Sequence, residues 1–145
     1  MKKELVILLV EDNEGDIVLT VEALKEARIN NKVIVVRDGE EALNYLYREG
    51  TNAEVELPDI ILLDINLPRI DGKEVLHKIK NDADLKHIPV VILTTSDSEK
   101  DVMDSYLNHA NCYITKPVDF NKFMQVVMMI KNFWISLVKL PTAHA

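Results

Sequence analysis

The sequence predicts an α/β domain of the flavodoxin-like (βα)5 type, a doubly wound parallel sheet with strand order 2-1-3-4-5. Short apolar runs alternate with stretches of helical periodicity, the pattern of repeated βαβ units joined by right-handed crossovers. The runs are apolar at successive positions, as strands covered on both faces must be. Most of them end abruptly in polar residues: Glu11-Asp12, Asp64, Thr94 and Lys116.

Leu5 to Val10 forms the first strand. Ile17, Val21 and Leu24 recur at helical spacing, so a helix covers about Gly15 to Arg28, with Asp12 or Asn13 available as its cap. Asn30-Asn31 breaks that helix, and Val33 to Val36 is a short β-branched strand. Asp38-Gly39 turns and caps a second helix marked by Ala42, Leu43, Leu46 and Tyr47. A polar loop from Gly50 to Leu57 is long for such a connection. Pro58-Asp59 opens the third strand, Ile60 to Leu63, which runs into Asp64. After the turn Asn66 to Gly72 comes a helix with Val75, Leu76 and Ile79 inward. Pro89 starts the fourth strand, Val90 to Leu93, and Ser96 to Ser98 can cap the helix after it. Cys112 to Thr115 is the fifth strand, stopped by Pro117. Asp119 can cap a last helix, roughly Phe120 to Leu137, about 27 Å long at 1.5 Å per residue. The expected division is one domain over 1–137 and a short C-terminal extension over 138–145.

The chain has 145 residues, 17 basic and 24 acidic, for a net charge of −7. This balance opposes nonspecific nucleic-acid binding, which needs phosphate-neutralising Lys and Arg. No apolar stretch approaches the ~20 residues that span a bilayer, so no membrane partner is expected. Cys112 is the single cysteine and allows no intrachain disulfide, which points to the cytoplasm. None of the four histidines makes a metal-ligand spacing.

In open parallel sheets the site lies outside the carboxyl ends of the strands, at the switch in strand order. Glu11, Asp12 and Asp64 would meet there. Two carboxylates about 4 Å apart repel by about 4 kcal/mol at an effective dielectric of 20. A divalent cation offsets that repulsion, and an all-oxygen site that keeps waters suits Mg²⁺. Lys116 offsets part of it. An Asp carboxylate is a competent nucleophile toward a phosphoryl group. The Lys116 ammonium and the Thr94 hydroxyl can then stabilise phosphoryl oxygens. Each element alone reads more readily as a helix cap or a surface lysine. Together, at the ends of successive strands, they describe a phosphoryl site.

These residues resemble the receiver domain of two-component response regulators. The resemblance covers about residues 4–135. It is carried by Leu9-Val10-Glu11-Asp12-Asn13, by Asp59 to Pro68, by Asp71-Gly72, by Val91-Ile92-Leu93-Thr94-Thr95-Ser96 and by Tyr113-Ile114-Thr115-Lys116-Pro117. Glu11 stands where many receivers carry Asp, and the charge is kept. The resemblance implies that Asp64 accepts phosphate from a phosphohistidine on a sensor histidine kinase. It implies Mg²⁺ held by Glu11, Asp12, Asp64 and the backbone carbonyl of Asn66, with Thr94 and Lys116 on the phosphoryl group. It also implies a switch through Thr94 and Tyr113. Leu93 to Ser96, Asn111 to Lys116 and Asn132-Phe133-Trp134 are similar to the small stand-alone regulators that serve bacterial and cyanobacterial phytochromes, which implies a phytochrome as the possible kinase. The protein is then no enzyme beyond catalysing its own phosphorylation and dephosphorylation.

The alternatives are an Asp-nucleophile Mg²⁺ phosphohydrolase and a flavin-binding electron carrier. The first needs a second acid two residues after the nucleophile, where this chain has Asn66. The second needs a hydroxyl- and Gly-rich phosphate loop, where Glu11-Asp12-Asn13-Glu14 would repel the flavin phosphate.

The last helix is more apolar than one buried stripe requires. Phe123, Val127, Ile130, Trp134 and Leu137 form one stripe, and Met124, Val126, Met128, Met129, Phe133 and Ile135 widen it. A homodimer through this helix, with Phe133, Trp134 and Leu137 at the interface, is expected.

Overall fold

The computed structural model describes residues 4–26, 31–47, 56–94, 112–116, 121, 122 and 125. Within them the elements are β1 (Leu5–Val10), α1 (Glu14–Glu26), β2 (Asn31–Val36), α2 (Gly39–Leu46), β3 (Ile60–Asp64), α3 (Gly72–Lys80), β4 (Val90–Thr94) and β5 (Cys112–Thr115). The strands form one sheet in the order β2-β1-β3-β4-β5, and every pairing is parallel. The expected fold class and strand order are both observed. Among the described residues no helix is long and apolar enough to cross a membrane.

Alternate residues of each strand enter two separate cores, because successive side chains of a strand point to opposite faces. Leu8, Val10, Ile61, Leu63, Val90 and Ile92 meet α2 and α3 through Ala42, Leu43, Leu46, Val75, Leu76 and Ile79. Ile7, Leu9, Ile60, Leu62, Val91, Leu93 and Ile114 meet α1 through Ile17, Ala23 and Leu24. This two-sided cover is the reason the strands read as unbroken apolar runs.

Local chemistry sets the element boundaries. The Asn13 side chain accepts from the Asp16 amide at 2.9 Å, so Asn13 is the residue that caps α1. Asp38 accepts from the Glu41 amide and caps α2, and Asp71 accepts from the Lys73 amide and caps α3. β2 begins two residues before the expected Val33. Asn31 pairs with Leu5 in the sheet, while its side-chain amide donates to the Leu24 carbonyl in the last turn of α1. Asn31 thus satisfies an orphan helix carbonyl and starts the strand. Asp59 fastens β3 to β1: its amide donates to the Val6 carbonyl, and its carboxylate accepts from the Val6 amide at 2.8 Å.

α3 lies close against the end of β3. A Cβ on Gly72 would collide with the Asp64 carbonyl oxygen and stand 2.7 Å from the Ile65 Cα. The neighbouring atoms are backbone, so they cannot turn aside. Gly72→Ala is therefore expected to destabilise the domain by about 1–3 kcal/mol through overpacking. Gly15 lies exposed in α1, where a Cβ would meet only the Asn13 side-chain oxygen at 3.3 Å. Gly15→Ala is expected to change stability by less than about 0.5 kcal/mol, because the lower unfolded-chain entropy is offset by crowding of the Asn13 cap. Urea unfolding of the two variants beside the parent chain measures both effects.

Candidate functional site

The alternation that divides the cores also selects which polar side chains meet. β1 continues beyond Val10 because the Glu11 amide donates to the Val36 carbonyl at 3.0 Å. Glu11 therefore follows Ile7 and Leu9 toward the α1 face. Asp64 follows Ile60 and Leu62 to that face. The Lys116 amide donates to the Thr94 carbonyl at 2.7 Å, which prolongs β5 so that Lys116 follows Ile114 there too. Glu11 and Asp64 are almost completely buried. Burying a charge is costly unless it is paired, and here the charges are paired with one another.

The Lys116 ammonium donates to Glu11 Oε1 at 2.8 Å, to Asp16 Oδ2 at 3.0 Å and to Asp64 Oδ2 at 3.1 Å. The second Asp64 oxygen, Oδ1, accepts from the Asn66 amide at 3.0 Å, and Glu11 Oε2 accepts from the Asn13 amide at 3.2 Å. Asp12 is exposed at the mouth of the site. One carboxylate oxygen from each of Glu11, Asp12 and Asp64 lies within 4.8 Å of the others.

Sequence reasoning anticipated the convergence of Glu11, Asp12, Asp64 and Lys116, and all four are brought together. Thr94 is buried at the end of the adjacent strand, on the opposite alternation from Asp64. Tyr113 is paired beside Ile92 on β5 and is 38% exposed. It shares its sheet face with Thr94. Asn66 is exposed and reaches Asp64 through its backbone. Phe133, Trp134 and Leu137 lie outside the described residues. Asp16 was not anticipated, although its position on α1 held a signal. It precedes the buried Thr20 and Ala23 by four and seven residues, at the top of the inward stripe.

Among the described residues four carboxylates share the site with one ammonium, and the imbalance shows at Glu11. Burial, then the hydrogen bond and charge of Asp64, push the Glu11 carboxyl up from 4.5 to about 7, against the opposing hydrogen bonds of Lys116 and Asn13. Burial acts against the Lys116 charge, but its bonds to Glu11 and Asp16 and the nearby charges of Asp64 and Glu11 outweigh it. The ammonium is held above its ordinary range. An all-oxygen cluster with surplus negative charge fits a hard divalent cation.

The sequence pattern of the response regulator receiver domain matches residues 7–128. The chain belongs to the response regulator receiver domain family. It is a response regulator of phosphorylation-based signalling. It is 47% identical to response regulator Rcp1 of Synechocystis over 138 residues, 95% of this chain and 94% of that protein. The crystal structure of phosphorylated RcpA, a cyanobacterial phytochrome response regulator, is 50% identical and superposes with a TM-score of 0.79. That match covers 93% of this chain and 96% of RcpA. The Mn²⁺-bound form of Rcp1 superposes with a TM-score of 0.76 at 47% identity, over 89% of this chain and 93% of that one. The expected likeness to regulators of phytochromes is therefore met, and a receiver is favoured over a phosphohydrolase. Rcp1 thus has a Mn²⁺-bound form, and this chain has a cluster of three carboxylates that could hold a metal ion.

The raised pKa of Glu11 has a consequence for stability. The folded chain keeps a proton on Glu11 that the unfolded chain gives up above about pH 4.5. The contribution is full below pH 4.5 and is lost as pH rises through about 7. Without divalent cation, the melting temperature is expected to fall between pH 5 and pH 8, and Glu11→Gln to flatten that fall. Adding Mg²⁺ is expected to raise the melting temperature more at pH 8 than at pH 5, because the cation favours the ionised carboxylates. Thermal melts at the two pH values, with and without Mg²⁺, check both statements.

Proposed function

We propose that Asp64 is the phosphoacceptor of this response regulator, supplied by a sensor histidine kinase whose sensory part is a phytochrome. The observation that carries this reading is the placement of the buried Asp64 carboxylate: it is within the three-carboxylate cluster and hydrogen-bonded to both the Lys116 ammonium and the Asn66 amide. One carboxylate oxygen of Asp64 forms a bond to phosphorus as the bond from phosphorus to the kinase imidazole breaks. The imidazole, protonated on its other nitrogen, leaves with the electron pair of that bond and so ends neutral.

Glu11, Asp12 and Asp64, with the Asn66 carbonyl, would hold Mg²⁺. When bound, that ion neutralises charge on the phosphoryl oxygens and relieves the repulsion among the carboxylates. Lys116 stabilises a second phosphoryl oxygen, and the Thr94 hydroxyl donates to a third. Phosphorylation changes Asp64 from a singly charged carboxylate to a group with about two negative charges. This favours the state in which Thr94 moves toward the phosphoryl group. Tyr113 shares a sheet face with Thr94, so its inward turn is the natural partner of that movement. Such a switch is a population shift toward the state that binds the phosphoryl group better.

Self-catalysed phosphorylation and dephosphorylation belong to this reading. A turnover enzyme lacks support, because Asn66 occupies the place of the second acid. A cytoplasmic location is proposed with it, on the single cysteine. A homodimer through the last helix is proposed from the apolar breadth of residues 123–137.

Incubation with acetyl phosphate and Mg²⁺ is expected to give a single, hydroxylamine-labile phosphorylation that Asp64→Asn abolishes. Lys116→Ala is expected to slow it by about a hundredfold, the scale of one lost electrostatic stabiliser. Steady turnover of many phosphate esters would sink the reading. The dimer is tested separately by light scattering at tens of micromolar. Wild type is expected to run as a dimer, and the double variant Phe133→Ala with Trp134→Ala as a monomer.

A further inference from the structure

We infer that Asp16 is the positioning residue for Lys116, the anchor that keeps the ammonium over the phosphoryl site once the other carboxylates are engaged elsewhere. This rests on the reading of Asp64 as phosphoacceptor and adds a residue that the phosphoryl chemistry itself does not call for.

An ammonium has three donors. In this domain they are divided among Glu11, Asp16 and Asp64 at 2.8, 3.0 and 3.1 Å. Two of those partners are shared. Glu11 and Asp64 also belong to the carboxylate cluster that would hold a divalent cation, and Asp64 is the group to be phosphorylated. As their charge is drawn to a cation, their hold on Lys116 weakens, while the cation repels the ammonium. Asp16 stands outside that cluster, on the α1 side, so its pairing with Lys116 survives.

The anchor is itself well fixed. Asp16 lies in the first turn of α1, and its own amide is the donor bound by the Asn13 cap. A carboxylate there also interacts favourably with the positive end of the helix dipole. Its side chain is 26% exposed against 6% for Lys116, so the pair links the partly exposed edge of the site to its buried interior. Sheet alternation makes this pairing possible: Lys116 leaves β5 on the face that α1 covers.

The test has two arms. In the first, the rate of phosphorylation by acetyl phosphate is measured against Mg²⁺ concentration. Asp16→Asn is expected to lower the maximal rate at saturating Mg²⁺ by about tenfold or more, as misplacement of a catalytic group does. Asp16→Glu is expected to recover most of it. A maximal rate within about twofold of wild type overturns the inference, and so does a deficit that additional Mg²⁺ removes, since that is only a charge effect on cation affinity.

The second arm needs no phosphorylation. In protein carrying ¹⁵N-lysine, the protected Lys116 ammonium signal, assigned by its loss in Lys116→Arg, is followed by NMR. Wild type is expected to keep the signal when Mg²⁺ is added. Asp16→Asn is expected to keep it without Mg²⁺, where Glu11 and Asp64 suffice, and to lose it on addition. Identical behaviour of the two proteins overturns the inference. Failure of wild type to become phosphorylated would instead overturn the phosphoacceptor reading and leave this arm standing.

Discussion

Both faces of the parallel sheet are covered, so its inner strands can carry polar side chains only where they leave the layer. β1, β3 and β4 are apolar until their carboxyl ends, where Glu11, Asp64 and Thr94 stand, and β5 delivers Lys116 just beyond Thr115. Burial of the strands and assembly of the site are thus one constraint. The flanking helices seal two separate cores. The same two-residue alternation that fills those cores sends Glu11, Asp64 and Lys116 toward α1 and Thr94 the other way.

The site stores electrostatic tension. Buried carboxylates in surplus over one ammonium oppose folding, as the raised pKa of Glu11 registers. Such conflict is expected where function overrides stability. On the proposed function, a cation and a phosphoryl group would complete that charge arrangement. The rigid close contact between Gly72 and the end of β3 holds Asp64 against this tension. Sites supported by packed backbone keep their geometry better than sites on free loops.

Much of this could be read in the chain. Apolar runs located the strands, and their order located the crevice. Motif spacing around Asp64 and Lys116 identified the family, which the match over residues 7–128 bears out. Two features escaped. Asn31 resembles a helix breaker, yet it pairs in β2 while its side chain closes α1, a dual role visible only when both elements are in place. Asp16 resembles a first-turn acid that complements the helix dipole, and its ion pair spans 100 residues of sequence.

The sequence by itself determined the five strands, their two-sided burial and the polar residues at their ends, because periodicity and residue type report local environment. Tertiary structure alone decided how the charges are shared. Glu11 is sealed inside while Asp12 faces outward, and Lys116 is divided among three carboxylates from β1, α1 and β3. The reason is physical: an ion pair depends on distance and burial, and for residues far apart in the chain both are set by how the helices close over the sheet.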